Sequence, residues 1–243
     1  MKESSAHREE HAPAPTEVTD EAEIAVAGVS LVANRLGALY WPEEGLLAIA
    51  DLHLEKGSSF ATRGVLLPPY DTAATLAGVV RLVARYAPRT LLALGDSFHD
   101  GAGPARIAPA DRAGLAALQR GREWMWIAGN HDPDRPDGLG GSFCGLLAIS
   151  ALTFRHDPTG AAGEIAGHLH PVARLRTRGR SMSRRCFASD GTRLVMPAFG
   201  AYAGGLNVRH RAFADVFGTL AFTAHLLGGH RIYSLAVERC LPD

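Results

Sequence analysis

Cysteine is scarce: the 243-residue chain has three, Cys144, Cys186 and Cys240, far apart and without a CxxC pair. That argues against a disulfide framework and against a thiolate metal site, and an odd, scattered set fits a reducing cytoplasm. An excess of charge of one sign is also missing, since 25 Lys and Arg balance 25 Asp and Glu. A neutral chain has no overall attraction for polyanions, so any tight grip on nucleic acid has to come from a local patch. Apolar runs long enough to span a membrane are absent too, because charges or turn residues interrupt each one. The opening MKESSAHREEHAPAPTEVTD lacks the apolar centre of a signal peptide and is rich in charge, proline and alanine. Residues 1–22 are therefore expected to be a disordered lead, neither signal nor anchor, and 23–243 a single domain.

What is present is an ordinary globular balance, 47% apolar and 21% charged, long enough to bury a core. Ile24 to Ala33 and Ala38 to Trp41 read as strands, and Pro42 to Gly45 as a turn into the strand Leu46 to Ala50. A polar loop, LEKGSSFATRGVLLPPYD, precedes a helix over Asp71 to Tyr86, which Pro88 stops. A strand at Thr90 to Leu94, a helix at Ala110 to Arg120 and a strand at Trp124 to Ala128 complete a β-helix-β-helix-β series, the pattern of a parallel α/β layer. From Gly145 onward short strands and turns dominate, with a short helix near Arg211 to Phe217. The expected fold is α/β, two sheets packed face to face with helices outside.

The chemistry sits where apolar runs stop. LLALGDSFHD ends on Gly95-Asp96, with His99 and Asp100 just beyond. LLAIADLH stops at Asp51 and His53, WMWIAGNHD at Asn130, His131 and Asp132, and EIAGHLHP at His168 and His170; His156 follows ALTFR. Strand ends of open α/β sheets are where ligands bind. Aspartate, asparagine and imidazole without thiolate suit Mn, Fe or Zn. Seven candidate ligands exceed what one tetrahedral ion with an open position needs. Two ions with a bridging carboxylate account for the number, and Asp96 is the best bridge.

Read together, Asp51-Leu52-His53, Gly95-Asp96 with His99, Gly129-Asn130-His131-Asp132, His156 and Gly167-His168-Leu169-His170 resemble the calcineurin-like metallophosphoesterases. The resemblance implies a four-layer α-β-β-α sandwich of two packed mixed sheets. It also implies two divalent ions, manganese first with iron or zinc as alternatives: Asp51, His53 and His170 on one, Asn130, His156 and His168 on the other, Asp96 between. His131 would contact the phosphate and help the leaving oxygen depart, after attack by a hydroxide bridging two ions about 3.5–4 Å apart. Many relatives carry a carboxylate where His99 stands; the GDxFH form implies that His99 orients His131, with Asp100 as a substitute.

ADLHLEKGSSFA, LGDSFHD, GNHDP, GHLHP and MPAFGAYAGGLNV are further similar to the bacterial ligase-associated DNA damage response metallophosphoesterases. That similarity implies a phosphodiesterase or endonuclease acting on DNA in repair, with a DNA ligase and a helicase as partners. Two other functions stay open: a phosphohydrolase on a small nucleotide or lipid-linked pyrophosphate, and a non-catalytic scaffold for a ligase or helicase. His156 could be part of a turn, Asp132 an Asx turn before Pro133, and Glu55 and Lys56 a surface loop. Trp124 and Trp126 read as core, and His210, His225 and His230 as ordinary polar residues. ARLRTRGRSMSRR, with arginines from Arg174 to Arg185 and no acid, reads as a solvated hairpin tip or loop before a DNA contact.

Overall fold

Alternating side chains on short apolar strands build two sheets. The computed structural model describes residues 20–177, 179–219 and 221–243; all but the last three residues of the expected N-terminal lead lie outside them. The first sheet takes its seven strands in chain order: β1 (Glu21–Val26), β2 (Val29–Asn34), β3 (Leu39–Trp41), β4 (Leu46–Ala50), β5 (Thr90–Leu94), β6 (Glu123–Ile127) and β7 (Ser142–Cys144). β1 to β4 form an antiparallel meander, and β4 to β7 run parallel. The single strand expected over Ile24 to Ala33 is a hairpin instead. Ala27 and Gly28 both take positive φ, 48° and 81°, as a two-residue hairpin turn requires.

The second sheet holds β8 (Leu146–Ile149), β9 (Leu152–Arg155), β10 (Glu164–Ala166), β11 (Pro171–Thr177), β12 (Arg180–Ser189), β13 (Leu194–Val195), β14 (Leu206–Asn207), β15 (Thr223–Leu227) and β16 (Ile232–Ala236). It is mixed: β10 runs parallel to both β9 and β13, whereas β12 is antiparallel to β11, β13 and β15.

Period two explains why LLAIA reads as an unbroken apolar run. Leu46, Ala48 and Ala50 face the second sheet, packing with Phe154, Ile165 and Phe187. Leu47 and Ile49 face outward, into a layer with Leu76, Val79 and Leu82 of α2 (Asp71–Tyr86) and Leu115 and Leu118 of α4 (Pro109–Gln119). Both faces are therefore buried, as in parallel sheets covered by helices. Trp124 and Trp126 lie in this outer layer, 2% and 1% exposed, which makes them core. On the far side, α5 (Arg211–Phe217) covers the second sheet through Phe213, Val216 and Phe217. The result is the four-layer α-β-β-α sandwich. No described helix is long and apolar enough to cross a membrane.

The loop expected after His53 contains a helix, α1 (Lys56–Ala61), and a second short one, α3 (Gly103–Arg106), precedes α4. Glu55 is no surface residue. It is buried, its N–H and Oε1 both bond the Thr72 hydroxyl at 2.9 Å, and the Gly57 N–H donates to Asp71 at 3.0 Å. These contacts fasten α1 to the start of α2. The three cysteines are free, Cys186 and Cys240 buried and Cys144 half-buried.

Candidate metal centre

Five strands end at one rim. β4, β5 and β6 of the first sheet deliver Asp51, Asp96 and Asn130-His131; β9 and β10 of the second deliver His156 and His168 with His170. Turning side chains inward from so many strand ends demands unusual backbone. Asp51, His53, Asp96, His168 and His170 all have positive φ, between 43° and 65°, at about 1–3 kcal/mol of strain each. The strain is held by neighbours: the N–H groups of His53 and Leu54 donate to the carbonyls of Asp96 and Ser97 at 2.9 Å, and Gly200 N–H to Asp51 O at 3.1 Å.

Close approach explains two glycines. A methyl group at Gly95, whose φ is +72°, would overlap the His156 imidazole; one at Gly129 would overlap the backbone N of Asp96. Glycine before Asp96 and before Asn130 is thus a packing requirement of the centre.

The side chains form two groups that share a member. Oxygen or nitrogen atoms of Asp51, His53, Asp96 and His170 converge within 4.8 Å of one another, as do those of Asp96, His156 and His168. His53 Nε2 lies 3.3 Å from His170 Nε2, and His170 Nε2 lies 3.2 Å from Asp51 Oδ1. Asn130 Oδ1 joins the second group, 2.9 Å from both His156 Nε2 and His168 Nδ1. The structure therefore brings together all seven residues expected as ligands.

The donor set fits a divalent cation. His156 Nδ1 faces the Leu94 carbonyl at 3.3 Å, which can only accept, so Nδ1 carries the proton and Nε2 offers a lone pair. That lone pair points at oxygens, Asn130 Oδ1 and Asp96 Oδ1, the latter at 3.3 Å. Acceptors converging on acceptors need a positive charge between them. Without metal the charge is a proton: burial opposes protonating His156, but the Asp96 hydrogen bond and the Asp51 and Asp96 charges outweigh it and raise its pKa. Burial and the field of His170 press His53 down to about 3, keeping it neutral, as ligation of a cation would require. Asp96 is held ionised at about 2, because bonding to His156 outweighs its own burial.

His131 stands at the mouth, its side chain 41% exposed. Its main-chain N–H donates to Asp96 Oδ1 at 2.9 Å, and its Nδ1–H donates to the His99 carbonyl at 2.9 Å. Its free Nε2 lies 3.9 Å from Asp96 Oδ2. His99 does touch His131, but through that carbonyl and a stacked ring 5.2 Å away, with no bond from its imidazole to His131. Asp100 is not at the centre: both its oxygens clamp Arg106 at 2.9 Å.

Sequence reasoning missed the part played by Asp132. It is neither an Asx turn nor at the mouth; buried, it accepts the Ser97 and Phe98 N–H groups at 2.8 and 3.0 Å and so holds the loop after Asp96. Burial pushes its carboxyl up to about 7. The carboxylate directly after GNH was the available signal.

Comparison with known proteins agrees with this geometry. The model of the calcineurin-like phosphoesterase family matches residues 46–188. A solved structure, Pseudomonas putida nuclease MPE, superposes with a TM-score of 0.68 at 27% identity, covering 88% of this chain and all of that one. Yfce, a phosphoesterase from E. coli, aligns at a TM-score of 0.39 and 15% identity over 79% of this chain and 98% of its own. A search of curated proteins gave no match. With more than half its length matched and the convergent rim in place, the chain is a member of the calcineurin-like phosphoesterase family and a metal-dependent phosphoesterase.

Proposed function

We propose that the protein is a dinuclear-metal phosphodiesterase that cuts phosphodiester bonds in DNA during repair, with manganese the preferred metal. The observation that carries the two-ion reading is Asp96, the one carboxylate common to both ligand groups. Asp51, His53 and His170 complete one ion's ligands, and Asn130, His156 and His168 the other's. When bound, such ions supply an activated water nucleophile and neutralise charge on the phosphoryl oxygens.

The chain's own residues do the rest. Asp51 accepts the His168 N–H at 3.1 and 3.2 Å, tying a first-sheet ligand to a second-sheet one and so keeping the two groups in register. His131, with Nδ1–H spent on the His99 carbonyl, presents Nε2 to the mouth; carrying a proton taken from solvent on Nε2, it would contact the phosphoryl group and hand that proton to the leaving oxygen. DNA as substrate is supported by the likeness to the Pseudomonas putida nuclease and by the segments shared with ligase-associated enzymes. A DNA ligase and a helicase as partners rest on those segments alone, and the three free thiols agree with a cytoplasmic setting.

The test is a panel. Mn²⁺-loaded protein is expected to cleave bis(p-nitrophenyl) phosphate and nicked or single-stranded DNA, and Asp96→Ala or His131→Ala to abolish both. Robust diester cleavage after chelation and dialysis would refute the metal mechanism. Strong monoester preference without DNA cleavage would point to a small-molecule phosphohydrolase.

A further inference from the structure

The arginine-rich run is an ordered hairpin that starts at the metal centre. β11 begins at Pro171, the residue after His170, and pairs with β12 from Val172 opposite Arg185 to Thr177 opposite Arg180. The register sorts the arginines by face. Arg174 opposite Ser183 and Arg176 opposite Ser181 share a face with Val172 and Arg185, whereas Arg184 and Arg180 lie on the other, with Ala173, Leu175 and Met182.

The first face is the one joined to the centre. At its foot Arg185 Nη1 donates to the carbonyls of Ala198 and Phe199 at 2.7 and 3.3 Å, and the N–H groups of Phe199 and Gly200 bond the carbonyls of Ala50 and Asp51. Further out, Arg174 Nε donates to the Ser181 hydroxyl at 2.8 Å, which aims the guanidinium along the hairpin, and Arg176 is exposed. Residues 171–189 contain no acid, and among the described residues no arginine of the hairpin enters an ion pair. Arg174 and Arg176 stand two residues apart, about 6.6 Å at 3.3 Å per residue, and reach roughly 13 and 20 Å beyond His170. The opposite face is different. It packs Ala173 and Leu175 toward the layer of α5, and Leu175, Met182 and Arg184 line a cavity with Leu226 and Tyr233.

We infer that the Arg174, Arg176 and Arg185 face of this hairpin is the track for the sugar-phosphate backbone of a single-stranded polynucleotide whose scissile phosphate lies at the metal centre. The inference rests on reading the site as a DNA phosphodiesterase, and it supplies the local patch that a chain of zero net charge needs in order to hold a polyanion. Guanidinium groups with no carboxylate partner and with hydroxyls between them suit phosphate oxygens. The residues act on substrate position, away from the reacting atoms.

The experiment compares the faces in the full-length protein. Arg174→Ser with Arg176→Ser forms one double variant, and Arg180→Ser with Arg184→Ser the other; both remove two charges from the same hairpin. Binding to fluorescein-labelled oligodeoxythymidylate is followed by anisotropy in chelator, so that turnover plays no part. The first pair is expected to weaken binding tenfold or more and to flatten the log–log salt dependence by about 1.4, at about 0.7 per phosphate contact on single strands. It is also expected to lower the oligonucleotide-to-bis(p-nitrophenyl) phosphate ratio of kcat/KM at least tenfold, while the second pair stays within twofold of the parent. Equal losses from both pairs, no loss from the first, or displacement of the oligonucleotide by poly-glutamate as readily as by unlabelled DNA would overturn the track. If the parent cleaves DNA and the first pair binds it normally, the track alone is wrong. If the parent neither binds nor cleaves DNA, the substrate reading falls with it.

Discussion

The main-chain N–H of His131 donates to Oδ1 of Asp96 at 2.9 Å, so the histidine at the mouth is tied directly to the carboxylate shared by both ligand groups. The two residues are nonetheless separable by experiment, because His131 belongs to neither group. His131→Ala should keep the rise in melting temperature that Mn²⁺ gives the parent, while kcat falls by about 10²- to 10⁴-fold, the worth of a positioned acid–base group. Loss of the Mn²⁺-induced rise would make His131 a ligand.

Asp96→Asn removes the charge but keeps an oxygen for the His131 N–H. In chelator its melting temperature should fall, because the bond to His156 loses its charge, and Mn²⁺ should no longer raise it, since stabilisation by a ligand follows its affinity for the folded state. A full Mn²⁺-induced shift in this variant would argue against Asp96 as the bridge.

Asp132 acts through the loop it holds. Asp132→Ala strands two buried N–H groups, those of Ser97 and Phe98, at about 1–3 kcal/mol each, and should weaken Mn²⁺ binding about 10- to 100-fold. Asp132→Asn retains an acceptor and should recover most of both. Urea unfolding and metal titration read the two effects separately, and an asparagine variant as weak as the alanine one would contradict the role.

How much of this could be read from the chain depends on what each feature is made of. The strand ends at Asp51, Asp96, Asn130 and His168 were visible because apolar runs stop abruptly at polar residues, and the sheet rim is where such stops meet. The left-handed backbone at Asp51, His53, Asp96, His168 and His170 left no mark, because propensity assigns that conformation to glycine and these five are held there by tertiary contacts. α1 was hidden because KGSSFA is short, with a glycine and two serines, and is fixed by Glu55–Thr72 and Gly57–Asp71 bonds made with a distant helix. Asp100 looked like a substitute for His99 in sequence because only the fold places Arg106 beside it. The turn at Ala27-Gly28 is marked in the sequence by Gly28 alone, because Ala27 takes its positive φ without any residue preference for it.

Gly95→Ala tests the packing reading of the GD pair. It adds a methyl group where the His156 ring lies and places a side chain at φ +72°, so it should destabilise by about 2–5 kcal/mol, the sum of overpacking and left-handed strain. A loss below about 0.5 kcal/mol, the size of an ordinary surface change, would show that the ring has room to move.

Far from the centre, His225 bonds Ser234 Oγ at 2.8 Å, and burial holds its imidazole down to about 4 against an ordinary 6.5. A histidine whose folded pKa is depressed binds its proton more readily when unfolded. Its contribution is nil above pH 6.5 and becomes increasingly destabilising as pH falls from 6.5 toward 4. His225→Gln should flatten the decline in melting temperature over that window, and an unchanged acid limb would contradict the assignment.

Whether one aspartate holds two ions together is read from anomalous scattering by crystals soaked in Mn²⁺. Two peaks are expected about 3.5–4 Å apart, one beside Asp51, His53 and His170, the other beside Asn130, His156 and His168, with Asp96 touching both. A single peak at saturating Mn²⁺, or two peaks of which Asp96 touches only one, would contradict the bridge.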